Sequence, residues 1–282
     1  FEAATSSEFT VVAEETTTLD LDLAKLPPIL VVDDDAGKAY EGFYSAALGD
    51  KAHKVLGYDQ LTSLSGEYLA QYEVVVWFTG DDYRSTFSAA DQAALTEYLS
   101  AGGRLFVSGQ EVAYQLKGKE WLQNTLGAKF SKDSSGSKAV EAFGLSFAIE
   151  GGDGANNQKY PDAIEANGGE MIATYANGMG AGVKFANGNG KVVYLSFGLE
   201  GVDSAANRAA LMNAAIDYLS PSAEEMAARI DALAAMGTVD SDAAALALTD
   251  LVSTRVASEG AELSGSASRE LRRMGSFLGL HQ

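Results

Sequence analysis

Short apolar runs alternate with amphipathic segments along the chain from residue 27 onward. A run that is apolar at every position is typical of a parallel strand, because helices cover both faces of a parallel sheet. Strands that alternate with helices predict an α/β fold with a mostly parallel sheet. The predicted strands are Ile29–Val32, Val74–Phe78, Arg104–Ser108 and Val192–Phe197.

The segments between these runs carry helix signals. Ser88 and Asp91 have the spacing of an N-terminal capping box, and the glycines at 102 and 103 end the helix that follows. Other segments place apolar residues on a single stripe, as in a helix that packs on a sheet. The predicted helices are Tyr40–Leu48, Ser88–Ser100 and Ser204–Leu219.

Residues 130–190 have a different composition, rich in Gly, Asn and Ser. Asn187-Gly188 and Asn189-Gly190 are dipeptides of the kind found in tight hairpin turns. We therefore expect an antiparallel extension of the sheet with long loops in this part of the chain.

The two ends of the chain depart from the α/β pattern. Residues 8–23 contain β-branched residues and alternate leucine with aspartate, which predicts strands, but two strands cannot bury a core alone. Residues 1–26 are thus interpreted as a β-arm, a hairpin or the end of a β-sandwich. Residues 221–282 carry three amphipathic helical patterns and are interpreted as a helical tail after the α/β domain, residues 27–220.

Charge and composition exclude several classes of function. Twenty Lys and Arg against 39 Asp and Glu give the 282 residues a net charge of −19, which repels phosphate backbones and anionic lipid. No apolar run approaches the roughly eighteen residues of a membrane span. We therefore expect neither nucleic-acid binding nor membrane insertion.

The chain also lacks the residues of common nucleophilic catalysis. It has no cysteine, so thiol nucleophiles and disulfides are excluded. Its two histidines are His53 and the penultimate residue, His281. An imidazole base would rest almost wholly on His53, which disfavours an ordinary hydrolytic triad.

Acidic residues follow two of the predicted strands. Asp33, Asp34 and Asp35 follow the first strand, while Asp81 and Asp82 follow the second. The carboxyl ends of parallel strands meet at one edge of the sheet, where open α/β sheets bind ligands. Five carboxylates there could hold Ca²⁺ or Mg²⁺, whereas the alternative is a role in capping and turns.

A strand, a turn and a helix are predicted around Ser108 and Gly109, in the order of a nucleophile elbow. The segment is not G-x-S-x-G, and no imidazole lies nearby in the sequence, so a tight turn that lets the helix pack closely is the favoured interpretation. Gln110, Glu111 and Glu200 are expected to line the same pocket, with a structural hydrogen bond as the favoured role of Glu200.

Longer segments carry a resemblance to a known family. ILVVDDDAGKAYEGFYSAAL, YEVVVWFTGDDYRSTFSAADQAALTEYLSAGGRLFVSGQEVAYQL, GGDGANNQKYPDAI and GKVVYLSFGLEGV together resemble the class I glutamine amidotransferase-like domain appended to secreted bacterial peptidases and modular surface proteins. The resemblance implies a flavodoxin-like α/β domain and a β-sandwich before it. ILVVDDD alone also resembles a response-regulator receiver strand, but the acceptor aspartate and the later lysine of receivers are missing.

The resemblance also implies what is missing. Amidotransferases of this fold use a cysteine nucleophile and a His-x-Glu pair, whereas this chain has Ser108 at the elbow and Gly198 two residues before Glu200. We therefore expect a non-catalytic, extracellular or cell-surface module that self-associates or binds a parent or partner surface protein.

Two alternatives remain at this point. A metal-dependent hydrolase would use Asp33, Asp35, Asp81 and Glu111 to hold an ion that activates water. A glycan- or peptide-binding module would use aromatic side chains, which are Trp77, Tyr83, Tyr114, Trp121 and Tyr160.

Overall fold

The computed structural model describes residues 28–220 of the chain. The predicted β-arm and helical tail, residues 1–26 and 221–282, lie outside the described residues. Six α-helices are found between residues 28 and 220, namely α1 (Glu41–Leu48), α2 (Gly66–Leu69), α3 (Ala89–Ser100), α4 (Val112–Gln115), α5 (Glu120–Leu126) and α6 (Ala205–Leu219), besides two short 3-10 helices, Tyr58–Ser63 and Leu199–Gly201.

The same part of the chain forms a sheet of eleven strands. The strands are β1 (Ile29–Asp33), β2 (His53–Leu56), β3 (Val74–Gly80), β4 (Arg104–Gly109), β5 (Ala128–Lys132), β6 (Ala139–Ala142), β7 (Leu145–Ala148), β8 (Ala163–Ala166), β9 (Glu170–Tyr175), β10 (Gly180–Asn187) and β11 (Gly190–Leu195).

The strand order defines the fold class. β2, β1, β3, β4 and β11 lie side by side in that order and are all parallel. This is the flavodoxin-like order 2-1-3-4-5, with the order reversing between β1 and β3. Beyond β11, the strands β10, β9, β6 and β7 continue the sheet in antiparallel fashion, and β8 pairs with β10 and β5. The predicted flavodoxin-like α/β fold with an antiparallel extension is thus confirmed.

The parallel strands are buried on both faces because a helical layer covers each side. Alternate residues of β1 point to opposite layers. Val31 belongs to the hydrophobic cluster that includes residues of α1 and α6, whereas Leu30 and Val32 belong to the cluster that includes residues of α3 and α5. The capping box predicted at the start of α3 is present, since Ser88 Oγ accepts from Asp91 N–H and Asp91 Oδ2 accepts from Ser88 N–H.

The last parallel strand differs from its predicted bounds. It spans Gly190–Leu195 instead of Val192–Phe197 because a tight turn sets Asn187 of β10 opposite Gly190. Gly188 takes the positive φ of 60° that such a turn needs. Pairing therefore begins two residues earlier. No helix between residues 28 and 220 has the length and apolar character to cross a membrane.

Candidate functional site

The predicted site residues meet at the carboxyl edge of the parallel strands. In the sheet register Asp33 pairs with Phe78, Phe78 with Ser108, and Ser108 with Leu195. The segments that follow β1, β3, β4 and β11 therefore start at one level and form a common edge. The edge includes the reversal point between β1 and β3, where ligands of this fold class bind.

The acidic run after β1 is divided between the two faces of the sheet. Asp34 is buried on the α3 side, where its Oδ2 accepts a 3.0 Å hydrogen bond from Trp77 Nε1–H. Burial raises the pKa of Asp34 to about 8. Asp33 and Asp35 instead lie together with Glu41, and one carboxylate oxygen of each is within 4.8 Å of the others. The alternation of a strand thus separates Asp34 from its two neighbours.

Asp35 organises the loop after β1. Its Oδ1 accepts from Lys38 N–H at 2.6 Å and its Oδ2 accepts from Tyr40 N–H at 3.3 Å. Burial, and next the charge of Asp35, raise the pKa of Asp33 to about 7. In this loop the carboxylate of Asp35 accepts backbone hydrogen bonds, and the carboxyl group of Asp33 beside it is desolvated.

Asp81 and Asp82 have separate roles after β3. Asp82 accepts hydrogen bonds from the backbone N–H groups of Arg84 and Ser85, at 3.0 and 3.1 Å, in a turn. The Tyr40 hydroxyl lies 3.5 Å from Asp81 Oδ1. In the part of the chain that the structure describes, neither residue joins two other acids with oxygens within 4.8 Å. The five predicted metal ligands therefore do not converge on one point.

A second acidic group contains two residues that sequence reasoning missed. Asp133 and Asp162 join Glu111, again with one oxygen of each within 4.8 Å of the others. The two aspartates come from the Gly- and Ser-rich region, far along the chain from the end of β4. No local sequence pattern identifies Asp133 and Asp162, because only the pairing of the antiparallel strands brings them beside Glu111.

Ser108 is fully buried and its hydroxyl is engaged on both sides. Oγ donates to Phe197 O at 3.0 Å and accepts from Leu199 N–H at 2.8 Å. His53 begins β2 at the level of Ile29, roughly 13 Å away along the strand direction from the level of Ser108 at about 3.3 Å per residue. The imidazole of His53 is therefore at the opposite edge of the sheet. The hydroxyl of Ser108 serves as a structural link.

Gly109 explains the close packing after β4. A Cβ atom at this position would overlap Thr79 Oγ1 on the neighbouring strand and would press on Val112 of α4. The favoured interpretation of the turn, in which a glycine permits close packing, agrees with this contact. Gln110, which follows, is buried and joins two loops, since its Oε1 accepts from Tyr160 N–H and its Nε2 donates to Asn157 O.

Glu200 is fully buried after β11 and accepts three side-chain hydrogen bonds. Tyr44 hydroxyl donates to Oε2 at 2.7 Å, and Asn157 Nδ2 and Gln158 Nε2 donate to Oε1 at 2.8 and 3.0 Å. Burial raises the pKa of Glu200, and the hydrogen bonds oppose that rise. The sequence alone did not predict these partners, which are Tyr44, Asn157 and Gln158. The polar run NNQ in GGDGANNQ is the one signal in the sequence for two of them.

Gly198 leaves no room for a side chain. A Cβ atom there would overlap the carboxylate of Glu200, which its three donors hold in place. The backbone N–H of Gly198 donates to Gln158 Oε1 at 2.7 Å. Residue 198 is therefore part of the closed hydrogen-bond network around Glu200.

Three large hydrophobic side chains of the described residues are exposed, and all three lie on segments at the carboxyl edge. Tyr58 follows β2, Tyr83 follows β3, and Tyr160 is bound to Gln110 after β4. Their exposed fractions are 47%, 55% and 54%. The other predicted aromatics are less available, since Trp77 is fully buried and Trp121 Nε1–H donates to Gln92 O.

The chain resembles several solved structures, but it matches no family model. No family model matches the chain, and no curated protein matches it. The chain resembles an exo-β-1,4-mannosidase from Opitutaceae bacterium strain TAV5, with TM-score 0.49 and 13% identity over 70% of this chain and 37% of that one.

Two further solved structures illustrate the range of such likeness. A β-galactosidase from Halorubrum lacusprofundi matches with TM-score 0.46 and 18% identity over 69% of this chain and 30% of its own. A glutamine amidotransferase from Thermotoga maritima matches with TM-score 0.39 and 14% identity over 89% and 94% of the two chains. The chain thus matches about a third of the length of the two glycosidases. The fold assignment rests on the strand order described above.

Proposed function

We propose that residues 28–220 form a non-catalytic association module of an exported or cell-surface protein. The observation that carries the proposal is the closed network around Ser108 and Glu200, where an enzyme of the resembled family would keep its nucleophile and base. Both side chains are fully buried and hydrogen-bonded. A nucleophile needs a base bonded to it and access for a substrate. Ser108 is fully buried, and its hydroxyl bonds to Phe197 O, Leu199 N–H and the Tyr44 hydroxyl instead of an imidazole or a carboxylate.

The face that we assign to association is the carboxyl edge with its three exposed tyrosines, Tyr58, Tyr83 and Tyr160. Tyrosine is enriched in protein interfaces because one ring provides apolar area and a hydrogen-bonding tip. Loops on a rigid sheet are the usual carriers of binding. The partner that we propose is a second copy of the chain, with the same face on both copies.

The negative charge of this face determines how the association depends on ionic strength. The face holds carboxylates near its tyrosines, so two copies repel each other at low ionic strength. We therefore expect the association to strengthen as salt screens the acidic edge. Light scattering of the 282-residue chain over a concentration and salt series measures it.

Matched variants assign the contact to the edge. Y83S combined with Y160S removes both rings and should shift the chain to monomer, whereas Y83F combined with Y160F keeps the rings and should leave the mass unchanged. A wild-type monomer at all concentrations and salt levels would overturn the association. An assembly unchanged in the serine variant would overturn its assignment to this face.

A serine-reactive probe tests whether Ser108 acts as a nucleophile. A fluorophosphonate probe should leave Ser108 unlabelled because its side chain is fully buried and its hydroxyl is held by hydrogen bonds to the backbone. The alternative metal-dependent hydrolase is less favoured, because Asp33 and Asp35 group with Glu41 while Glu111 groups with other acids. Metal-dependent turnover on ester, phosphate or glycoside panels that is lost in D81A would contradict our proposal and favour the hydrolase. Saturable glycan or peptide binding lost in Y83S would favour the third alternative.

A further inference from the structure

Three carboxylates from three separate segments converge beside the end of β4. Glu111 follows β4, Asp133 follows β5, and Asp162 immediately precedes β8. One carboxylate oxygen of each lies within 4.8 Å of one from each of the others. Glu111 is 6% exposed and Asp162 is fully buried, whereas Asp133 is exposed. The group is therefore buried at Glu111 and Asp162, which form its floor, and open to solvent at Asp133.

Asp162 is held rigidly at the floor of this group. Its backbone N–H donates to Gln110 O at 3.0 Å, and its carbonyl accepts from the hydroxyls of Ser196 and Tyr175 at 2.7 and 3.0 Å. Its Oδ2 accepts from Tyr114 N–H at 2.8 Å. Since main-chain hydrogen bonds fix the backbone of Asp162, its carboxylate can turn outward only by a side-chain rotation that breaks the bond from Tyr114 N–H.

The other carboxylate oxygen of Asp162, Oδ1, is buried and has no donor in good hydrogen-bonding geometry. The backbone N–H of Ala113 lies near the carboxyl and, like that of Tyr114, opposes the rise in its pKa. A buried carboxylate oxygen without a donor is costly, and two further carboxylates beside it raise that cost. The arrangement requires a proton or a cation at this point.

Burial and the mutual repulsion of the three acids disfavour their charged forms. Burial raises the pKa of Asp162 to about 8, and the charges of Glu111 and Asp133 add to the rise. Burial, and next the charge of Asp133, raise the pKa of Glu111 to about 7. A bound divalent cation would reverse both shifts, because it favours the charged forms.

We propose that Glu111, Asp133 and Asp162 bind a Ca²⁺ ion. Carboxylate oxygens are the ligands of this hard cation, and it accepts irregular sets of six to eight oxygens. Mg²⁺ instead demands a near-ideal octahedron, which three carboxylates on three separate segments are poorly placed to supply. Water at the open side beside Asp133 completes the coordination.

The ion would join parts of the chain that are distant in sequence. It connects the turn after β4, the loop after β5 and the segment before β8. An ion that binds only the folded state stabilises it in proportion to the logarithm of its concentration. Binding therefore raises the melting temperature of the folded unit. This site does not depend on the proposed association, since its ligands are distinct from the three exposed tyrosines.

The test is calorimetric titration of CaCl₂ into the full 282-residue chain after treatment with EDTA and its removal. We expect saturable binding and a rise in melting temperature with Ca²⁺. D133N should weaken this binding at least about tenfold, because it removes one of three charged ligands. Asp133 is exposed, so this variant is expected to fold. D217N changes an exposed acid on α6 in the same way and should bind Ca²⁺ like the wild type.

A second variant distinguishes the two acidic groups. E41Q removes a ligand from the group of Asp33 and Asp35, and it should leave the Ca²⁺ affinity unchanged. Loss of binding in E41Q with normal binding in D133N would overturn the assignment. So would wild-type protein without Ca²⁺ binding, or Mg²⁺ that binds as tightly as Ca²⁺. Light scattering of D133N without added Ca²⁺ tests the proposed association separately.

Discussion

The hydroxyl of Tyr44 donates a 2.7 Å hydrogen bond to Oε2 of Glu200, although the two residues are 156 positions apart. The bond connects α1 with the loop after β11, and both residues are fully buried. The ring of Tyr44 is stacked on Phe78 at a centroid distance of 4.0 Å. The carboxyl group of Glu200 is thus held by the core and is not presented to a cleft.

Replacement of Tyr44 by phenylalanine tests this bond directly. Y44F keeps the ring and its stacking but leaves a buried carboxyl oxygen without its donor, which typically costs about 1–3 kcal/mol of stability. We expect the free energy of unfolding to fall by that amount in urea titration. Y58F, which removes the hydroxyl of an exposed tyrosine, is the matched control and should unfold like the wild type. Equal stability of Y44F and wild type would show that the bond contributes nothing.

A methyl group at position 198 should also destabilise the fold. Gly198 has an ordinary φ of −79°, so alanine is not strained by its backbone. The added Cβ would instead overlap the Glu200 carboxylate, and such overpacking costs typically about 1–3 kcal/mol. Chemical denaturation of G198A measures the loss.

The control for G198A is a glycine with open space. Gly42 lies within α1 and has nothing within 4 Å of an added Cβ. G42A should therefore be stabilised by up to about 1 kcal/mol through helix propensity. The opposite result would be a G198A protein that unfolds at the same urea concentration as the wild type. That result would show that the Glu200 carboxylate can move aside and that position 198 has room for a larger residue.

The parallel half of the fold could be predicted because its signals are local. Every residue of Val74–Gly80 is buried, and such an apolar run has few alternatives to a central strand. Ser88 and Asp91 mark the start of α3 by a pattern only four residues long. These features depend on neighbours in the sequence and not on the arrangement of the whole sheet.

The side-chain clusters could not be predicted in the same way. The run Asp33–Asp35 reads as one acidic patch, yet strand alternation sends Asp34 to Trp77 on the opposite face. Asp133 and Asp162 reach Glu111 only through the long-range pairing of β5 with β8 and of β8 with β10. A single sequence does not specify the register of such pairings when the strands are short and alternate only weakly between apolar and polar residues.

The buried carboxyl of Asp34 predicts a dependence of stability on pH. Its pKa rises from 3.8 to about 8 on folding. Between these values the folded state keeps a proton that the unfolded state has lost, so the free energy of unfolding falls as pH rises from about 4 to about 8. D34N removes this titration while its amide oxygen can still accept from Trp77.

The stability difference between D34N and wild type should therefore vary with pH. We expect little difference near pH 4 and an advantage for D34N near pH 8, on the order of a few kcal/mol at most. The other acids with raised pKa, such as Asp33, are present in both proteins and cancel in the comparison. Urea unfolding at several pH values measures the difference, with D217N as the control for loss of an exposed charge. A difference that stays constant across this range would show that Asp34 is ionised in the folded protein at all of these pH values, and burial beside Trp77 would then not govern its protonation.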